Sequence, residues 1–139
     1  MWEKMFKPVD MLQQGLSAAW TRNAVIRNNI ANIETPGFKS SEVHFESLLA
    51  RKLLDSGGGF IGAKTHPGHR DIGSGVRAMQ PVHPRIVKTN DMSMRMDGNN
   101  VDIEAENVKL AQNSIYYNTL VEKLNGELRR LRMAISEGR

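Results

Sequence analysis

Between Leu12 and Ile33, apolar or small residues recur at Leu12, Leu16, Ala19, Ile26, Ile30 and Ile33, with Asn23 in the remaining slot of an alternating four-three spacing. That period places them on one face of an α-helix and is the pattern of a coiled-coil seam, here three heptads long. The helix should end near Ile33. Thr35 precedes a proline, which pushes it out of the α region, and Pro36-Gly37 suits the central pair of a type II turn. A longer series, Ile103, Asn107, Leu110, Ser114, Tyr117, Val121, Leu124, Leu128, Leu131 and Ile135, keeps the same spacing without a break. Its 33 residues predict a helix ~50 Å long. Asn99 and Asn100 are candidate N-caps, Asp102, Glu104 and Glu106 suit the positive end of the helix dipole, and Arg129, Arg130 and Arg132 suit the other end.

Between the two series the pattern loosens. Phe38, Val43, Phe45, Leu48, Leu49 and Leu53 predict one short amphipathic helix after the turn. From Gly57 to Gly75 there are seven glycines, and Pro67, Pro81 and Pro84 add further breaks, so regular structure is not expected there. Short strands fit Arg85 to Lys88 and Met92 to Met96, with Asp97-Gly98 as the turn that follows. The expected fold is mainly α: long N- and C-terminal helices pack as a coiled-coil-like pair around a small irregular α/β or loop-rich middle segment. Residues 1–36 and 99–139 together form one helical domain, and residues 37–98 form the middle segment.

Composition narrows the function classes. The chain has 139 residues, a formal charge of +4 and no cysteine, so disulfides, thiolate nucleophiles and thiolate metal sites are excluded. Residues 1–10 include Glu3, Lys4, Lys7, Pro8 and Asp10 and lack the apolar core of a secretory signal, and no run of ~18 apolar residues spans a bilayer. Such a protein either stays in the cytoplasm or leaves by a route that needs no cleaved signal.

One seam buries too little to order two helices of this length against the backbone entropy they lose. A second stripe, Val108, Ala111 and Ile115, lies off the C-terminal seam, and Trp20 and Val25 lie off the N-terminal one. A two-helix hairpin would leave that surface wet. Further helices, from identical or related subunits, are therefore expected to cover it, with the free chain only partly ordered until they do.

The stretch Asn28, Asn29, Ile30, Ala31, Asn32, Ile33, Glu34, Thr35, Pro36, Gly37, Phe38, Lys39 resembles the N-terminal signature of flagellar rod, hook and related axial proteins. Asp97-Gly98-Asn99-Asn100-Val101-Asp102, followed by Glu104, Ala111, Asn113 and Tyr117, is similar to the C-terminal helix of the FlgB-type proximal rod family. Thr65-His66-Pro67-Gly68-His69 adds a thinner match in the middle. The resemblance implies a structural, non-enzymatic subunit of the basal-body rod, located in the periplasm, exported without a cleaved signal peptide and transmitting torque. Its implied partners are copies of itself, other flagellar rod proteins, and membrane-ring and export-apparatus components. No cofactor, nucleic acid or small-molecule substrate is implied. The implied assembly contacts are Leu12, Leu16, Asn23, Ile26, Ile30, Asn32, Thr35, Pro36, Gly37, Phe38, Leu110, Tyr117, Val121, Leu124, Leu128, Leu131 and Ile135. The FlgC-type rod subunit and a cytoplasmic coiled-coil adaptor are the alternatives.

Other chemistry is weakly supported by the residues. His66, His69 and His83, with Asp71, carry zinc-ligand side chains, but in a Gly/Pro-rich loop with nothing evident to hold their geometry. No nucleophile elbow, P-loop or His-Glu-x-x-His motif is present. Lys123, Arg129, Arg130 and Arg132 invite comparison with helical DNA binders, yet Glu122, Glu127 and Glu137 share their helix. Asn23 has two readings: a register-fixing polar residue within the seam, or a solvent-facing one beyond its end.

Overall fold

The computed structural model describes residues 2–56, 81–90 and 96–137. In chain order the elements are α1 (Trp2–Ala31), β1 (Ser41–His44), α2 (Glu46–Ser56), β2 (Arg85–Lys88) and α3 (Ile103–Glu137). Two units result. Residues 1–44 and 83–139 make the first, and residues 45–82 the second.

In the first unit α1 and α3 pack along one another and run antiparallel. Asn29 meets Glu106, Ala19 meets Asn113, and Gly15 lies against Leu120, so one chain index falls as the other rises. The buried face of α1 is small at Gly15, Ala18 and Ala19 and bulkier at Val25, Ile26 and Asn29. Small side chains let the helices approach closely, and a Cβ added at Gly15 would sit 3.3 Å from Leu120 Cδ1. On α3 the deepest positions are Glu106 and Asn113, with Leu110, Leu120, Leu124 and Leu131 half-buried.

The contact face is thus rotated from the expected seam. Asn107 and Ser114, two slots of the predicted series, are exposed, and their place is taken by Glu106 and Asn113. Val25, expected off the seam, is buried, whereas Trp20 is 71% exposed and Val108, Ala111 and Ile115 face solvent as anticipated.

The expected single helix from Phe38 to Leu53 is instead a strand followed by a helix. Val43 lies in β1, which pairs antiparallel with β2 in the register Ser41↔Lys88 through His44↔Arg85. The cause is long-range: β2, 41 positions beyond β1, supplies the hydrogen bonds that make the extended form favourable, and Thr89 N–H adds one more to Ser40 O at 2.8 Å. Β2 itself falls on the stretch where a strand was expected; the Met92 to Met96 strand lies almost wholly outside the described residues.

In the second unit, α2 starts at Glu46, whose carboxylate lies in the first turn. Phe45 and Val82 are buried. Lys52 Nζ donates to Pro81 O at 3.2 Å.

Candidate assembly site at the helix ends and along the shaft

The turn after α1 forms as its residues dictate. Phe38 N–H donates to Thr35 O at 3.3 Å, and Gly37 has φ of 71°, the left-handed value that position i+2 of a type II turn requires. Gly37 N–H then donates to Asp97 O at 2.8 Å, and Gly98, with φ of 75°, turns the chain back beside it. Both positions need glycine because an L side chain there would strain the backbone.

Asn99 occupies the pocket this geometry makes. It is fully buried, and its Nδ2 donates to Asn32 O, Ile33 O and Thr35 O at 3.0, 2.9 and 3.0 Å. With two hydrogens for three acceptors, one bond is shared. These carbonyls belong to the turn that follows α1, where Asn32 O also accepts from Thr35 N–H at 3.1 Å and Thr35 O from Phe38 N–H, so Asn99 adds a donor from across the chain and caps the helix end. Asn99 Oδ1 accepts from Val101 N–H at 2.8 Å. The capping of α3 falls instead to Asp102, whose Oδ1 accepts from Glu104 N–H at 2.9 Å and Ala105 N–H at 3.3 Å. Asn100, the other expected cap, joins strands: its Oδ1 accepts from Ser40 N–H at 2.7 Å and its Nδ2 donates to Thr89 O at 3.1 Å.

Asn29 extends the same network. Its amide exchanges two bonds with Ser41, donating to the carbonyl at 2.9 Å and accepting from the N–H at 3.0 Å, in the manner of a ladder residue. The same Nδ2 donates to Glu106 Oε2 at 3.0 Å. Glu106 is buried, and Lys109 balances its charge at 2.9 Å while also reaching Glu42 on β1 at 2.9 Å. Burial pulls the Lys109 ammonium pKa down, but the bonds from Glu106 and Glu42 outweigh it and raise it above its ordinary 10.5. The hydrogen bond from Lys109 holds Glu42 below its ordinary 4.5.

The residues expected to make assembly contacts divide by place. Asn32, Thr35, Pro36, Gly37 and Phe38 lie at the turn: Asn32 and Thr35 carry carbonyls bound by Asn99, and Phe38 O accepts from Asn100 N–H at 3.4 Å. Leu12, Leu16, Ile26 and Ile30 lie on or beside the α1 face against α3, Ile26 buried and the others half-buried. Leu110, Val121, Leu124 and Leu131 are half-buried on α3, whereas Leu128 and Ile135 are 47% and 60% exposed. Asn23 and Tyr117 line a groove of about 510 Å³ between the helices, shared with Trp20 and Asn113. Asn29, Glu106 and Asn113 were missed among the candidates because hydrophobic patterning skips polar residues. The available signal was their own spacing, since Glu106, Asn113 and Leu120 are seven apart.

Comparison with known proteins agrees with this architecture. The family model "Flagella basal body rod protein" matches residues 10–39, which run along α1, through the turn, to Lys39. The flagellar basal body rod protein FlgB of Bacillus subtilis is 35% identical over 131 residues, covering 94% of this chain and 95% of the relative. The chain belongs to the FlgB family. FlgB of Borreliella burgdorferi is 34% identical over 82% of this chain, and FlgB of Yersinia enterocolitica 28% over 99%. These matches favour the FlgB type over the FlgC-type and adaptor alternatives, and the family is structural, not enzymatic. For a FlgB-family chain the turn network is therefore a framework, with no reaction to perform. Lys39 completes it, donating from Nζ to Gly98 O at 2.9 Å.

Among the described residues no group of His, Asp and Glu could hold a metal ion, and no helix is long and apolar enough to cross a membrane. His66, His69 and Asp71 of the zinc reading lie outside the described residues; His83 is exposed.

Proposed function

We propose that the chain is a structural subunit of the proximal rod of the flagellar basal body, which assembles through its terminal helices and carries torque between neighbours. One observation supports this best. In a FlgB-family chain the apolar series of α3 continues outward at Leu128 and Ile135, with Val108 and Ile115 on its back, all exposed when the chain is alone. Helices in a packed tube bury such positions against neighbouring subunits and spread load over many contacts.

The proposed neighbours are further copies and other rod proteins, with membrane-ring and export-apparatus components at the rod's base. The proposed location is the periplasmic rod, reached without a cleaved signal peptide. The residues at the turn, Asn32 and Thr35 to Phe38, and those along the shaft, Leu12 to Ile30 and Leu110 to Ile135, are the proposed contact positions. Phe38→Ala should lower incorporation.

The test is purification of basal bodies from cells whose chain carries an epitope between Gly58 and Gly59. Label confined to the rod beside the membrane ring, on a chain of unprocessed mass, is the expected result. Intact rods without label, with the tagged chain soluble in the cytoplasm, would overturn the proposal.

A further inference from the structure

The groove between α1 and α3 holds a polar atom that the single chain does not satisfy. Asn113 is 4% exposed, and its Oδ1 is buried with no hydrogen-bond partner among the described residues. The amide cannot simply be turned over. Its Nδ2 donates to Ala19 O at 2.9 Å, and the flipped amide would set two oxygens face to face. The atom itself is closed to solvent, so what the groove presents to an incoming helix is the lining around it. Its floor is small, with Ala19 and Ala24, and its rim carries Trp20, Tyr117 and, toward one end, Arg27. From Ala19 to Arg27 is eight residues, so the groove offers about two turns, ~12 Å, to a helix lying along it.

The back of α3 has matching features at matching spacing. Glu104, Val108, Gln112 and Ile115 follow one another on the face turned away from α1, and all four are exposed. Glu104 and Gln112 are eight residues apart, again ~12 Å.

We propose that the groove seats the back of α3 from a second copy of this chain. Glu104 of that copy pairs with the exposed Arg27, its Val108 lies over Ala24, and its Gln112 lies above Asn113 beside Ala19. Because Asn113 is level with Ala19, this register sets the incoming helix parallel to the resident α3, with almost no shift along the axis. Groove and back are different surfaces, so the contact is heterologous and repeats from copy to copy, closing into a ring or a shallow helix. The inference rests on the rod-subunit reading for the presence of neighbouring copies.

The chain has no cysteine, which makes crosslinking unambiguous. Chains carrying both Ala24→Cys and Val108→Cys, recovered in basal bodies and mildly oxidised, should give a ladder of covalent dimers and larger species. Yield should be at least tenfold above that from Ala24→Cys with Asn125→Cys. Incorporation without a ladder, or equal yields from both pairs, overturns the groove assignment and leaves the rod reading standing; absence of wild-type chain from rods defeats the rod reading instead. Where a cysteine pair blocks incorporation, charge exchange decides: Arg27→Glu and Glu104→Arg should each reduce incorporation severalfold and restore it together. Failure of the double variant to recover, with both single variants folded, would reject the proposed pairing.

Discussion

The turn end of the helical hairpin and its far end solve opposite problems. At the turn, buried polar groups find partners within one chain: Asn99 serves three carbonyls, Asn29 serves Ser41 and Glu106, and Lys109 balances Glu106 and Glu42. Toward the other end apolar side chains lack partners, with Leu128, Met133 and Ile135 all exposed. The first arrangement is complete in the monomer. The second is completed only by association, and the difference separates a self-sufficient folding nucleus from a surface held for neighbours.

The largest effect on stability should come from Asn99→Ala. It removes the side-chain donor that three carbonyls share and the acceptor of the buried Val101 N–H, while Asn32 O and Thr35 O keep their turn bonds; at ~1–3 kcal/mol for a group left unsatisfied, a loss of about 2–3 kcal/mol is expected in urea unfolding of the isolated chain. Asn99→Asp, which keeps the shape and removes the donors, should be no better. Retention of wild-type stability by either would show that the turn is not the nucleus.

Next in size are Gly37→Ala and Gly98→Ala. Each forces an L side chain into the left-handed region and should cost ~1–2 kcal/mol, although open space or ordinary contact surrounds both sites. A cost well below that would mean the backbone relaxes to another turn, visible as lost protection of the Gly37 N–H that bonds Asp97.

Much of this division could be read from the sequence, and its gaps have physical causes. Both long helices, the type II turn at Pro36-Gly37 and the wet stripe at Val108 to Ile115 follow from local periodicity and turn chemistry. Β1 did not, because four residues carry too little alternation to compete with helical spacing, and its partner lies 41 positions further on. Asn99 reads locally as a helix cap; that it caps the end of the other helix depends on Gly98 turning the chain back. The contact face of α3 differs by the rotation that substitutes Glu106 and Asn113 for Asn107 and Ser114, because the burial of these polar positions depends on partners distant in sequence.

Glu42→Gln should have a smaller effect, below ~1 kcal/mol, since the Lys109–Glu42 pair is nearly half-exposed and screened by solvent. Its pH dependence is more informative. Glu42 has a lowered pKa in the folded chain, so its contribution is present above about 4.5 and fades as pH falls through the folded value. Lys109 has a raised one, so its contribution is whole below 10.5 and is lost as pH rises past the folded value. The variant should match wild type in strong acid and fall behind it above the carboxylate range. A constant gap at all pH values would assign the effect to packing.

Smallest in stability, and sharpest for function, is the double change Leu128→Ser with Ile135→Ser. Both side chains are exposed in the single chain, so unfolding should shift by no more than ~0.5 kcal/mol per site, while incorporation into rods should fall severely. A large loss of monomer stability would mean that these residues are already engaged before assembly.

Amide hydrogen exchange on the dilute full-length chain, followed residue by residue, tests the contrast most directly. The predicted result is strong protection in residues 26–44 and 97–113, declining along α3 to rapid exchange beyond Gly126, with that segment protected only in assembled rods. Protection that is uniform along α3 in the monomer, or weakest around Asn99, would contradict the account.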